Sequence, residues 1–167
     1  MKAILFMLCI VISDSTFSQE IQRSELQHLI LDSKNFFKES IGGIDLISGE
    51  DSLYTSKVGL KGKLNGSISF KSGKTNFAGY SVYLLESTSL KNVKNEVLFW
   101  RELILSVAPS YTEQVNEGIR KNIHGNPEYE YLFTKIEAGR KSWINVLYAK
   151  DKKDYYLYLS IGWQDWF

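Results

Sequence analysis

The sequence predicts an α+β domain, an antiparallel sheet or sheets of about six strands packed on two main helices, in the order α-βββ-α-βββ. Three observations carry this. Within residues 87–108, Leu90, Val93, Val97, Trp100, Ile104 and Val107 recur at alternating three- and four-residue steps, one face of a helix. On either side of it, over residues 52–86 and 129–163, apolar residues recur at a period of two instead. The breaks inside those runs are short and rich in turn residues, so consecutive strands pair antiparallel, with the helices on one face.

Residues 1–18 read as a cleavable export signal. Met1-Lys2 is a minimal positive start, Ile4 to Ile12 a short apolar run, and Thr16-Phe17-Ser18 supplies small residues before a cut at Gln19. The apolar run falls short of the roughly 20 residues that a bilayer needs. Cys9 lies inside that run behind Leu8, where a lipid-modified cysteine requires a small residue before it. Residues 19–167 then form a single α+β domain without a thiol, which excludes disulfides, zinc–thiolate sites and a Cys nucleophile. Twenty Lys and Arg against 19 Asp and Glu give a net charge of +1, which favours neither nucleic acid nor a membrane surface. The expected location is periplasmic or secreted, with no membrane insertion after signal removal.

Ile21 to about Ser40 is predicted as the first helix, with Leu26, Leu29, Ile30, Phe36, Phe37 and Ile41 on one side and Gly42-Gly43 as its stop. Residues 44–51 follow as a loop. Leu53–Val58, Gly66–Phe70 and Phe77–Leu85 are the first three strands, and the last, apolar on both faces, is predicted to be central. Ser87 or Ser89 caps the second helix, and Pro109 ends it by denying Ala108 the helical region. Tyr111, Val115 and Ile119, four residues apart, permit a short third helix interrupted by Gly118. After a turn at His124-Gly125-Asn126-Pro127 come strands Tyr129–Ile136, Ser142–Lys150 and Tyr155–Trp163, the last two closed by Asp151-Lys152-Lys153-Asp154. Phe77–Glu86 weakly resembles Tyr155–Trp163, but no motif recurs at a fixed period.

Catalytic patterns are missing. His28 and His124 are the only histidines, far apart and without metal-ligand spacing; no Gly-x-Ser-x-Gly elbow occurs; and the Gly59–Gly66 run lacks phosphate-loop order. Glu128, Glu130 and Glu137 are expected to be solvent-exposed carboxylates. Arg101, beside the apolar stripe with no acid at helical spacing, is expected to extend its charge past the core edge, the alternative being a carboxylate that meets it from a loop or strand. No cofactor or metal is implied.

Two patterns point to binding instead. Between Asp51 and Glu86 the chain carries Lys57, Lys61, Lys63, Lys71 and Lys74 and no acid, which suits a protein partner with an acidic surface. Lysines that merely blunt sheet edges would give the same pattern. Aromatic residues crowd the last strands. There Tyr156 and Tyr158 alternate with Leu157 and Leu159, and Trp163, Trp166 and Phe167 are expected to extend the displayed aromatic surface. The same rings are equally suited to packing on the helices. The function expected is an exported, non-enzymatic protein-binding domain of inhibitor, immunity or secretion-accessory type. Its site residues are Tyr156, Tyr158, Trp163, Trp166, Lys57, Lys61 and Lys63. The alternatives are a carrier of a small apolar or glycan ligand between helix and sheet, and a small hydrolase using carboxylates or His124.

Overall fold

The computed structural model describes residues 19–48, 51–60, 66–71, 77–122 and 125–165. The expected export signal 1–18, Lys61, Lys63, Lys74, His124, Trp166 and Phe167 lie outside the described residues. Helix α1 (19–33) is followed by β1 (Ile41–Ser48), β2 (Asp51–Ser56), β3 (Ser67–Lys71) and β4 (Phe77–Ser87). Helix α2 (Leu90–Val107) then leads to β5 (Thr112–Lys121), β6 (Pro127–Glu137), β7 (Arg140–Asp151) and β8 (Asp154–Asp165). The class is α+β and antiparallel, as the periodicity predicts. Among the described residues the strands number eight and form one sheet, in the order β1-β2-β3-β4-β8-β7-β6-β5. Helix α2 therefore does not separate two sheets. It lies with the α1 segment against the same face of a continuous sheet, over Tyr80, Val82, Leu159 and Ile161.

Strand β4 is central, as its two apolar faces require, and pairs with β8 over almost its whole length. The two additional strands lie at the sheet's edges. Residues 41–48, expected as a helix stop and a loop, form β1, and the ambiguous stretch after Pro109 forms β5. Helix α1 ends at residue 33, not near Ser40. Beyond it the Asp32 carboxylate, 3% exposed, accepts from the Glu39 N–H at 3.1 Å, the Ser40 N–H at 2.9 Å and the Ser40 hydroxyl at 2.7 Å. These bonds fold residues 34–40 into turns and hold Phe36 and Phe37 at φ 58° and 54°. Left-handed backbone costs a side-chain-bearing residue about 1–2 kcal/mol. Burial of Phe37 and the edge-on contact of Phe36 with Trp163, 4.8 Å between centroids, offset it.

Helix α2 starts where predicted. The Ser89 side chain accepts the Asn92 N–H, and Val93, Val97, Trp100, Leu103 and Ile104 are buried. Trp100, Tyr80, Phe37 and Phe133 are fully buried and fill the space between helices and sheet. Arg101 does not extend into solvent. It makes a forked pair with Glu113 on β5, Nε to Oε1 at 2.5 Å and Nη2 to Oε2 at 2.7 Å, which raises its pKa further.

The two halves repeat one another. Sliding α1 onto α2 so that Leu26 meets Val97 brings Gln22, Leu29, Asp32 and Ser33 onto Val93, Trp100, Leu103 and Ile104, all buried. Sliding β4 onto β8 so that Ser81 meets Ser160 brings Ala78, Tyr80, Val82 and Leu84 onto Leu157, Leu159, Ile161 and Trp163, again all buried. Ser81 and Ser160 are themselves register partners, with hydroxyls 3.2 Å apart. An approximate two-fold axis thus passes between them. No described helix is long and apolar enough to cross a membrane.

Candidate functional site

Strand alternation assigns the faces. Leu157, Leu159, Ile161 and Trp163 of β8 point to the helices; Tyr156, Tyr158, Ser160, Gly162 and Gln164 point the other way. No described element covers this second face, which makes it the candidate binding surface. Following the register outward from β8 gives its composition: Ser81, Tyr83 and Glu86 on β4, Trp143, Asn145, Leu147 and Ala149 on β7, and Glu128 and Glu130 on β6.

At one end of the open face, Tyr83 lies 5.2 Å from Tyr158 and 6.0 Å from Tyr156, centroid to centroid. The Tyr83 hydroxyl donates to Glu86 Oε2 at 3.1 Å. All three hydroxyls titrate above the ordinary tyrosine value. Burial is the largest cause in each case; next come the hydrogen bond to Glu86 at Tyr83 and the charge of Glu86 at Tyr156 and Tyr158, with Asp154 and Asp151 adding at Tyr156. This end of the face therefore lies in a negative field. Beside the tyrosines is a depression of about 510 Å³ lined by Asn122, Glu128, Leu147, Ala149, Asp151, Tyr156 and Tyr158.

Toward the other end, Phe77 and Trp143 stack at 5.3 Å over the paired glycines Gly79 and Gly162. A Cβ on Gly162 would run into the Trp143 indole, so glycine is what lets the ring lie against the sheet. A depression of about 320 Å³ adjoins, lined by Trp143, Asn145, Gln164, Lys141, Arg120 and Glu130. Glu130, expected in solvent, is 3% exposed. Its carboxylate accepts from Asn116 Nδ2 at 2.7 Å, Asn145 Nδ2 at 2.7 Å and Arg120 Nη1 at 3.2 Å. Those donors close over it because β5 and β7 flank β6. The Asn145 Oδ1 atom is buried and has no hydrogen-bond partner among the described residues.

The expected site residues that are described, Tyr156, Tyr158, Trp163 and Lys57, do not form one site. Tyr156 and Tyr158 are on the open face, half-buried and 41% exposed respectively. Trp163 is on the opposite face, 4% exposed, because an odd-numbered residue of β8 shares its parity with Leu157; it anchors Phe36 and lies 4.9 Å under the Arg140 guanidinium. Lys57 is exposed just past β2, three strands from β8 and so about 14 Å away across the sheet. Glu137 pairs with Lys135 at 2.6 Å and Lys34 at 3.6 Å, which lowers its pKa, the Lys135 bond foremost. The residues missed, Tyr83 and the Asn116–Arg120–Asn145 clamp, enter only through strand register. Tyr83 alone carried a signal, since it opposes Tyr158 once β4 and β8 are paired.

No protein-family model, curated protein or solved structure matches this chain.

Proposed function

We propose that this protein is an exported, non-enzymatic protein-binding domain that meets its partner with the open face of its sheet. The observation that carries the reading is the Tyr83–Tyr156–Tyr158 cluster on a face that no described element covers. Clustered tyrosines contribute large contact area at small cost in side-chain entropy, which is why they recur among the residues that dominate interfaces. Inhibitor, immunity and secretion-accessory roles are all compatible. An acidic region of a partner suits the exposed Lys57, which lies apart from the tyrosines, and in the sequence Lys61 and Lys63 follow it.

The test is a crosslinking pull-down of residues 19–167 from the cell envelope of the source organism, beside the Tyr156→Ser/Tyr158→Ser double variant. The double variant is expected to keep its circular dichroism and to lose the captured partner. Retention of the partner at wild-type yield would place the interface elsewhere.

A second reading, a carrier of a small glycan, draws support from the Trp143 depression, where an indole face adjoins amide and charged side chains and the Asn145 Oδ1 atom has no donor among the described residues. The interior between helices and sheet offers less, being filled by Trp100, Tyr80, Phe37 and Phe133. A rise in melting temperature with glycans, abolished by Trp143→Ala, is the result this reading requires.

A further inference from the structure

We infer that the depression beside Tyr156 and Tyr158 receives a lysine or arginine side chain of the protein partner; this rests on the protein-binding reading of the open face and names the chemistry it recognises.

The shape follows from one small residue. Along the register row Glu86–Tyr156–Ala149–Glu128, Ala149 stands between a tyrosine and a glutamate. Its methyl group leaves a dip over β7, walled by Tyr156 and Tyr158 on β8 and by Glu128 on β6, two strand spacings or about 10 Å apart. The floor, Leu147 and Ala149, is apolar, while Glu128 and Asp151 place carboxylates in the lining. Such a cleft matches a side chain with a hydrocarbon stem and a cationic head. The stem lies on Leu147 and the ring faces, and the head meets two carboxylates and the negative faces of the tyrosines.

Among the described residues the carboxylates of this lining, Glu128 and Asp151, have no ion-pair partner. Arg120 is the register partner of Glu128, yet its guanidinium is bonded to Glu130. Lys152 and Lys153 occupy the exposed turn beyond Asp151, outside the lining. Glu86 and Asp154 add further negative charge along the same end, so an acidic partner segment is repelled where a basic one is drawn in.

The test uses the mature domain, isotope-labelled for amide NMR, with tetralysine amide, its Nε-acetylated form and tetraglutamate as probes. Tetralysine is expected to shift the amides of Leu147, Ala149, Tyr156 and Tyr158 saturably, with an affinity on the order of 1 mM. Glu128→Gln/Asp151→Asn, folded by circular dichroism, is expected to weaken it about tenfold, and the acetylated and acidic peptides to leave these amides unmoved. Equal shifts with acetylated tetralysine, shifts indifferent to the double variant, or no shift at all would overturn the assignment. If tetralysine fails while Tyr156→Ser/Tyr158→Ser still loses the captured partner, only the cationic assignment falls. If the tyrosine variant keeps its partner, the face itself is wrong.

Discussion

Glu130 stands on the side of the sheet without helices, where strand alternation promises solvent, and yet its carboxylate is 3% exposed. The donors that enclose it come from positions 10 to 15 residues away in the chain, brought together by the β5–β6–β7 register and the shift between Glu117 and Arg120. No local pattern in the sequence encodes that meeting. Glu130→Ala leaves two amide groups without their acceptor and is expected to cost about 2–3 kcal/mol in urea unfolding. Glu128→Ala, two residues away on the same face, is expected to stay within about 0.5 kcal/mol. Similar losses for both would mean that the clamp contributes nothing. Tyr80 gives a prediction in pH. Burial pushes its hydroxyl up to about 12, partly offset by the Leu60 backbone, with Glu25 adding to the rise. A folded value above the unfolded 10 means that the stability involved is whole below pH 10 and is lost as pH rises through 12. Tyrosinate absorbance and circular dichroism should therefore change together near pH 12, and Tyr80→Phe should flatten the loss of stability between pH 10 and 12.

At the scale of elements, the strands legible in the sequence are those whose neighbours on both sides bury one face. In β7 and β8 the alternation is clean, with Ile144, Val146 and Tyr148 set against Leu157, Leu159 and Ile161. The edge strands carry no such pattern. On β5 the helix-side positions are Glu113, Val115 and Glu117, so Val115 is the sole apolar residue among them. Its spacing from Tyr111 mimics a helix. On β1 two register shifts and Gly42-Gly43 erase the period; a Cβ at Gly42 would press on the Thr55 hydroxyl and carbonyl, so a glycine there marks a strand running close to β2, not a helix stop. The two edges also differ in protection. Charges and Gly118 at φ +67° break up β5, whereas β1 shows Ile44, Leu46 and Ile47 at 66, 59 and 62% exposure. Ile47→Lys is expected to leave the urea midpoint within about 0.5 kcal/mol of wild type while reducing light scattering on heating. A large loss of stability would show that Ile47 is packed.

For the molecule as a whole, the decisive contact is the β4–β8 pairing, which joins two α-ββββ halves into one sheet over one core. The sequence could suggest two similar halves but not that their last strands would lie side by side, because antiparallel pairing of distant strands leaves no local trace. Each half alone would expose a long apolar strand edge and a helix with its partner core missing. Leu159 would lose Val82, and Ile161 would lose Tyr80. Fragments 19–88 and 89–167 are therefore expected to be unfolded as monomers by circular dichroism, while the intact domain unfolds in a single calorimetric transition with equal van't Hoff and calorimetric enthalpies. Because an approximate two-fold axis passes between Ser81 and Ser160, a fragment that does acquire structure can satisfy its open edge by pairing with a copy of itself, so its folding should depend on concentration. A folded, concentration-independent monomer from either half would show that the seam joins two autonomous units and that the single core across β4 and β8 is not what stabilises them.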